Sequence, residues 1–153
     1  MYSFSALASN SCLISVIIAW LLAQIFKIFT GYFSERKFSL VKLLSGTGGM
    51  PSSHSATVVS LLVSSAIRYG FAGFEIAASL LLAIIVMRDA TGVRYETGKQ
   101  ATIINELVKE IFSGKATDLN QNLKTLIGHT PFQVFVGGVL GAIVGLTVGL
   151  LMR

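Results

Sequence analysis

Apolar residues dominate this chain and fall into four long stretches that polar segments separate. The stretches cover roughly residues 12–33, 53–68, 74–87 and 132–152. A helix needs about 20 apolar residues to cross a bilayer core of about 30 Å, and the first and last stretches reach that length. The pattern predicts four membrane-spanning helices, of which the second is short and needs shelter from its neighbours.

A fifth segment, residues 98–112, has a different periodicity. Its apolar residues recur at helical spacing along one face, and charged residues occupy the other. The apolar face contains Ile104, Leu107, Val108 and Ile111, and the polar face contains Lys99, Glu106, Lys109 and Glu110. We expect an amphipathic helix in the membrane interface. The predicted fold is all-α: a polytopic membrane helix bundle in one domain, residues 1–153.

The composition supports a membrane protein. Of 153 residues, 53% are hydrophobic and 12% are charged, whereas about 25% of a soluble domain is charged. The net charge of +5 is not concentrated in a basic block with interleaved aromatics, so membrane topology explains it better than nucleic-acid binding. The single cysteine, Cys12, excludes an internal disulfide. No cleavable signal peptide is expected, because the first apolar stretch is long and lacks a basic leader.

Alternating spans place several polar residues on one membrane face. Lys27, His54, Asp89, Arg94 and His129 all fall near that surface. Of the 12 Lys and Arg residues, all but two are assigned to the same face; the exceptions are Arg68 and Arg153. The positive-inside rule makes this face cytoplasmic and puts both termini outside.

The segment 47–55, Thr-Gly-Gly-Met-Pro-Ser-Ser-His-Ser, opens the second predicted span. A helix N-terminus presents unpaired N–H groups and positive potential to an anion. Gly49 lets the backbone approach a ligand, Ser52 and Ser53 supply hydroxyl donors, and His54 can transfer a proton near neutral pH. The alternative is a helix cap with a surface histidine.

Glycines recur every fourth residue in the last apolar stretch and form a ridge that allows close helix packing. They are Gly137, Gly141, Gly145 and Gly149. Packing inside the monomer and a homodimer through the ridge are both compatible with this pattern. The two histidines are far apart in the sequence and carboxylates are sparse, so we expect neither a metal site nor a cofactor.

Several motifs together resemble a known superfamily. Residues 51–55, Pro-Ser-Ser-His-Ser, resemble the Pro-Ser-Gly-His motif of the type 2 phosphatidic acid phosphatases, which are related to vanadium haloperoxidases. Residues 128–137 resemble the third motif of that superfamily. With 89–94, Asp-Ala-Thr-Gly-Val-Arg, and 98–101, Gly-Lys-Gln-Ala, the set resembles a small divergent branch of bacterial and plastid membrane proteins. This implies a bacterial cell membrane or a plastid membrane as host, with the site on the cytoplasmic or stromal face.

The resemblance implies metal-independent phosphoryl transfer through a phosphohistidine. By that resemblance His129 is the nucleophile and His54 is the general acid. The phosphate is held by Lys27, by Ser52 and Ser53, and by backbone N–H groups after Gly49. Charge spread over phosphoryl oxygens is stabilised by fixed donors and cations of this kind.

The sequence departs from the superfamily pattern at several positions. Gln133 stands where an acidic residue orients the nucleophile, and an amide cannot stabilise an imidazolium as a carboxylate does. The arginine six residues before the nucleophile is Leu123 here, with Lys124 beside it. Arg94 and Asp89 could supply the missing contact and carboxylate, or they could form an ion pair that closes a helix end.

The leading functional interpretation is a membrane-embedded phosphatase that acts on a lipid phosphate among the surrounding membrane lipids. The alternative is a non-catalytic protein that binds or transports phosphorylated lipids through the same anion site. Vanadate-dependent haloperoxidation is a third and weaker option, because the soluble enzymes of that kind are much larger.

Overall fold

A computed structural model of the chain describes residues 4–35, 49–112 and 128–153. Every regular element in these ranges is a helix, which confirms the all-α prediction. The helices are α1 (Phe4–Ala8), α2 (Ser11–Glu35), α3 (Ser53–Tyr69), α4 (Phe74–Thr91), α5 (Val93–Phe112) and α6 (Pro131–Leu151).

Helix boundaries differ from the sequence prediction mainly around the charged segment 88–94. The third predicted span was expected to end near Met87, but α4 continues to Thr91 and α5 begins at Val93. The backbone N–H of Gly92 still donates to the carbonyl of Arg88 at 2.8 Å. The charged segment thus extends α4 by one turn, and the helix ends at its C-cap, Gly92. The short α1 was not predicted.

Three stretches of the described residues are long and apolar enough to cross a membrane: Ser11–Thr30, Phe74–Lys109 and Pro131–Leu151. The second predicted span, α3, has 17 residues and is about 25 Å long. It lies at the centre of the bundle and packs against α2, α4 and α6. The predicted shelter of this short helix is therefore confirmed.

Small residues let α3 occupy the centre. Its buried positions are mostly serines: Ser53, Ser55, Ser60, Ser64 and Ser65. Their hydroxyls bond within the protein; for example, Ser15 of α2 donates to the Oγ of Ser64 at 2.9 Å. Such hydroxyls satisfy their own polarity while allowing close helix contact.

The glycine ridge of α6 faces α3 inside the same chain. A Cβ at Gly137 would collide with the carbonyl oxygen of Ser52, and one at Gly141 would collide with that of Ala56. Gly145 and Gly149 lie against the same helix further along. The ridge is used for packing within the monomer, the first of the two alternatives. A homodimer stays a prediction and would require another face.

The amphipathic helix α5 contacts mainly α4 and leaves the bundle. It begins five residues earlier than predicted, at Val93. The apolar face that the sequence predicted is exposed at all four of its positions, Ile104, Leu107, Val108 and Ile111. This exposure is what an interfacial helix requires, because its apolar face contacts lipid rather than protein.

Candidate functional site

The ends of four helices bring the predicted site residues together at one end of the bundle. Lys27 near the end of α2 donates from Nζ to Ser53 Oγ at the start of α3, over 3.2 Å. The rings of His54 and His129 have centroids 6.2 Å apart and are tilted by 57°. The backbone N–H of His129 donates to the carbonyl of Ala90 in α4 at 3.0 Å. The structure thus brings these residues together at one end of the bundle.

Hydrogen bonds fix the loop before α3 from both sides. Thr30 of α2 donates to the carbonyl of Met50 at 2.6 Å, and the backbone N–H of Ser52 donates to the carbonyl of Gln133 at 3.1 Å. Gly49 has φ +90°, a conformation that L side chains rarely adopt, and lies beside the stem of Lys27. The loop therefore has a defined position between α2 and α6.

Ser52 and Ser53 have different surroundings. Ser52 is fully buried, and its Oγ accepts from the backbone N–H of Ser55 as the N-cap of α3. Because its own N–H is also bonded to Gln133, Ser52 matches the helix-cap alternative better than a phosphate ligand. Ser53 bonds Lys27 instead and remains a candidate ligand.

His129 is held rigidly just before α6. Only 2% of the residue is exposed. The preceding Gly128 has φ +106°, and a Cβ there would collide with the backbone of Arg94 and Tyr95. The chain can therefore pass this close to the start of α5 only with glycine at 128. This contact holds His129 next to the end of α4.

Gln133 determines which nitrogen of His129 carries the proton. The Oε1 of Gln133 accepts from the backbone N–H of Thr130 at 3.1 Å, so the atom at this position must be the amide oxygen. Nδ1 of His129 lies 3.3 Å from the same oxygen and must donate to it. The neutral ring then has its lone pair on Nε2. That nitrogen is buried and has no hydrogen-bond partner among the described residues.

The electrostatic surroundings keep His129 neutral. Burial lowers the pKa of its ring to about 4, and the charges of Lys27, His54 and Arg94 act in the same direction. The hydrogen bond to Gln133 opposes this shift but does not cancel it. At neutral pH the ring is therefore an unprotonated base with a nucleophilic nitrogen.

Asp89 and Arg94 form the ion pair that was one of the two alternatives for them. Nε of Arg94 bonds Oδ2 of Asp89, and both side chains are partly exposed. The pair joins the end of α4 to the start of α5. Arg94 still acts electrostatically on His129, so it lies close enough to contribute to an anion site.

Lys124 lies outside the described residues, so its predicted supporting role stays a prediction. Sequence reasoning missed three residues near the site: Thr30, Thr130 and Gln24. Thr130 with Gln133 forms a capping box, which the pattern Thr-Pro-Phe-Gln could have revealed. Thr30 follows Lys27 by one helical turn and bonds the loop. Oε1 of Gln24, one turn before Lys27, is buried and has no hydrogen-bond partner in the described part of the chain, and no sequence motif indicates this.

The arrangement combines a neutral nucleophilic nitrogen, a second imidazole and a buried cation. Lys27 is 9% exposed, and the only partner described for its ammonium is Ser53. A buried ammonium with one neutral partner is a strong site for an anion, since pairing compensates its desolvation. The site can bind an oxyanion and transfer a group to or from it.

Comparisons with known proteins agree with this description. The family model described as the Divergent PAP2 family matches residues 8–144. The chain is 39% identical over 150 residues to a protein of Bacillus subtilis (strain 168) named "Uncharacterized membrane protein YuiD", covering 92% of this chain and 94% of that one. No solved structure matches the chain. The chain therefore belongs to the Divergent PAP2 family and is an integral membrane protein.

Proposed function

We propose that this protein is a metal-independent phosphatase that hydrolyses the phosphate ester of a membrane lipid. The observation that supports this most directly is the state of His129. Its Nδ1–H is bound by Gln133, and its buried Nε2 has no partner among the described residues. A nitrogen held in this way is suited to attack phosphorus, because no hydrogen bond must first be broken.

The reaction would proceed in two steps. Nε2 of His129 forms a bond to phosphorus while the bond from phosphorus to the lipid oxygen breaks, and His54 donates a proton to that oxygen. Water then attacks the phosphohistidine, His54 takes a proton from the water, and phosphate leaves with Nε2 restored. A small tetrahedral oxyanion can bridge two rings with centroids 6.2 Å apart.

Lys27 and Ser53 would stabilise the charge on the phosphoryl oxygens. The ammonium of Lys27 is a fixed cation in a site of low dielectric constant, where its effect on developing charge exceeds that in water. The site lies at one end of the bundle, at the depth where a lipid headgroup meets the membrane surface. An amphiphilic substrate with its phosphate at that depth fits this position. We propose that this surface is the cytoplasmic one, because most of the basic residues are assigned to it.

A second candidate function is the binding or transport of phosphorylated lipids without turnover. Two observations favour it: Gln133 cannot stabilise an imidazolium as a carboxylate would, and Arg94 is already paired with Asp89. Under this function the same cations bind the phosphate, and neither histidine forms a covalent bond.

Phosphate release by the purified protein in detergent, with a chelator present, distinguishes the two functions. We expect release from lipid monophosphates or diphosphates by the wild type and none from His129→Ala. His54→Ala should lose activity on alkyl phosphates and give only a stoichiometric burst of p-nitrophenolate from p-nitrophenyl phosphate, because that leaving group needs no proton whereas hydrolysis of the phosphohistidine still needs the base. Equal release by wild type and His129→Ala would contradict the mechanism. Absence of release with retained lipid-phosphate binding would favour the non-catalytic function.

A further inference from the structure

An apolar groove of about 340 Å³ runs between α4 and α6 beside the histidine site. Its lining residues come from the end of α4 and the start of α6: Ile84, Met87, Arg88, Thr91, Pro131, Val134 and Phe135. α4 packs mainly on α3 and touches α6 only sparsely, so the two helices leave this space between them.

The groove is open toward the outside of the bundle and closed on the inside. Ile84 and Phe135 are 58% and 66% exposed at its outer edges, whereas Val134 at its floor is 5% exposed. In a membrane protein the outer side of such helices faces lipid. A hydrocarbon chain can therefore enter the groove sideways from the bilayer without crossing water.

The groove is lined almost entirely by apolar atoms, and its two residues with polar side chains, Arg88 and Thr91, both come from the last turn of α4. Thr91 and Pro131 lie at the end nearest the site, because the neighbouring Ala90 and His129 are hydrogen-bonded to each other. Arg88 lies one turn further along α4. Ile84 and Phe135 lie farthest from the site along the two helices. From Ile84 to Thr91 the helix rises about 10 Å.

We propose that this groove binds one hydrocarbon chain of the lipid phosphate whose headgroup occupies the histidine site. The proposal rests on the proposed function only for the presence of a phosphorylated lipid, not for its hydrolysis. The polarity of the groove matches that of the substrate, with Arg88 and Thr91 near the anionic headgroup and the apolar residues along the chain. With a volume of about 340 Å³, the groove suits one chain and leaves any second chain in the bilayer.

Two pairs of equally exposed positions allow binding in the groove to be distinguished from binding on the rest of the lipid-facing surface. Ile84 and Ile85 are adjacent in α4 and are 58% and 56% exposed, but only Ile84 lines the groove. Phe135 and Phe132 in α6 are 66% and 64% exposed, and only Phe135 lines it. Ile84→Trp should fill the groove, while Ile85→Trp adds the same bulk outside it.

The first measurement is photolabelling by dodecyl phosphate that carries a diazirine near the end of its chain. We expect labelled residues at Ile84, Met87, Val134 or Phe135, with the yield reduced at least fivefold by Ile84→Trp and unchanged by Ile85→Trp. Unlabelled dodecyl phosphate should reduce the labelling yield by competition, and dodecanol should not. Equal competition by dodecanol would mean ordinary boundary lipid and would overturn the proposal. Cysteines can also be introduced at positions 84 and 135. If they crosslink two copies of the chain, the groove binds a protein partner and the proposal is overturned.

The second measurement is the affinity for butyl, octyl and dodecyl phosphates at a fixed mole fraction in detergent. Because the chain is already in an apolar phase, each methylene that enters the groove adds only its packing contacts, so the affinity should rise with chain length until the groove is full and then stay constant. Ile84→Trp should flatten this dependence, and Phe135→Ala should reduce it while Phe132→Ala does not. Identical chain-length dependence in Ile84→Trp and Ile85→Trp would refute the groove. Because both measurements record binding, absence of phosphate release would contradict the phosphatase and not this site.

Discussion

The Oε1 of Gln133 accepts hydrogen bonds from both the backbone N–H of Thr130 and the Nδ1–H of His129. The oxygen that caps α6 thus also orients the imidazole. An amide at this position supplies the orientation that the superfamily obtains from a carboxylate, without its charge. The ring geometry that the proposed mechanism requires of His129 is retained, while the electrostatic stabilisation of a protonated or phosphorylated ring is reduced.

Gln133→Glu should increase activity and leave the fold intact. Glutamate at the third helical position still completes a capping box with Thr130, and its carboxylate stabilises positive charge on the ring. We expect phosphate release to rise at least about tenfold and the pKa of His129 to rise. Gln133→Leu, which removes both bonds, serves as the opposite control. Unchanged turnover in Gln133→Glu would contradict the orienting role of this position.

The stability of the protein should depend on pH through His129. Its pKa is lowered from 6.5 to about 4 in the folded protein, so below pH 6.5 the unfolded chain binds a proton that the folded protein does not. The free energy of unfolding should therefore be highest above pH 6.5 and fall by about 3 kcal/mol as the pH drops to 4. Thermal unfolding in detergent across this range measures it. The fall should be smaller in His129→Gln, which cannot titrate, and an equal fall in both proteins would refute the assignment.

Lys27→Met should weaken phosphate and vanadate binding by between about tenfold and a hundredfold, the value of a charge-assisted hydrogen bond. Methionine keeps much of the stem volume, so packing beside Gly49 should persist. Lys99→Met is the matched control, because Lys99 is exposed and paired with Glu96. Isothermal titration with vanadate measures both, and equal affinities would remove Lys27 from the site.

Gly141→Ala should destabilise the protein by about 1–3 kcal/mol, since the added Cβ meets the backbone of Ala56 and forces α6 away from α3. Gly138→Ala is the control: its Cβ would lie 3.8 Å from a methyl group of Val59, an ordinary contact. Both substitutions replace one glycine of the same helix by alanine. The gain in helix propensity is therefore the same in both variants and drops out when their stabilities are compared. Similar unfolding temperatures for the two variants would contradict the close packing of the ridge.

Asp89→Asn tests whether Arg94 serves the ion pair or the anion site. Removing the carboxylate frees the guanidinium and deletes a negative charge near the site. Because exposed ion pairs contribute little to stability, we expect unchanged unfolding and a severalfold gain in vanadate affinity. Arg94→Ala in the same background should abolish that gain. If Asp89→Asn leaves the affinity unchanged, the pair has only a structural role.

The amino-acid sequence alone was enough to predict the membrane class, the helical elements and the clustering of polar residues at one end of the bundle. Apolar stretches and the interfacial stripe of α5 follow from local periodicity, because a helix in lipid must satisfy its own backbone and expose apolar side chains. The alternation of spans then placed Lys27, His54 and His129 together. The order of the motifs was sufficient to indicate the family.

Tertiary structure decided the questions that depend on which surfaces meet. Glycine spacing allowed both a homodimer and internal packing for Gly137 and Gly141, and only the contact with α3 distinguished them. Ser52 looked like a phosphate donor until its bonds to Gln133 and Ser55 were known. The Nε2 of His129, which has no partner within the described ranges, and the groove between α4 and α6 also arise from contacts between distant residues. Local sequence encodes helices well, but hydrogen-bond partners and cavities depend on how those helices pack.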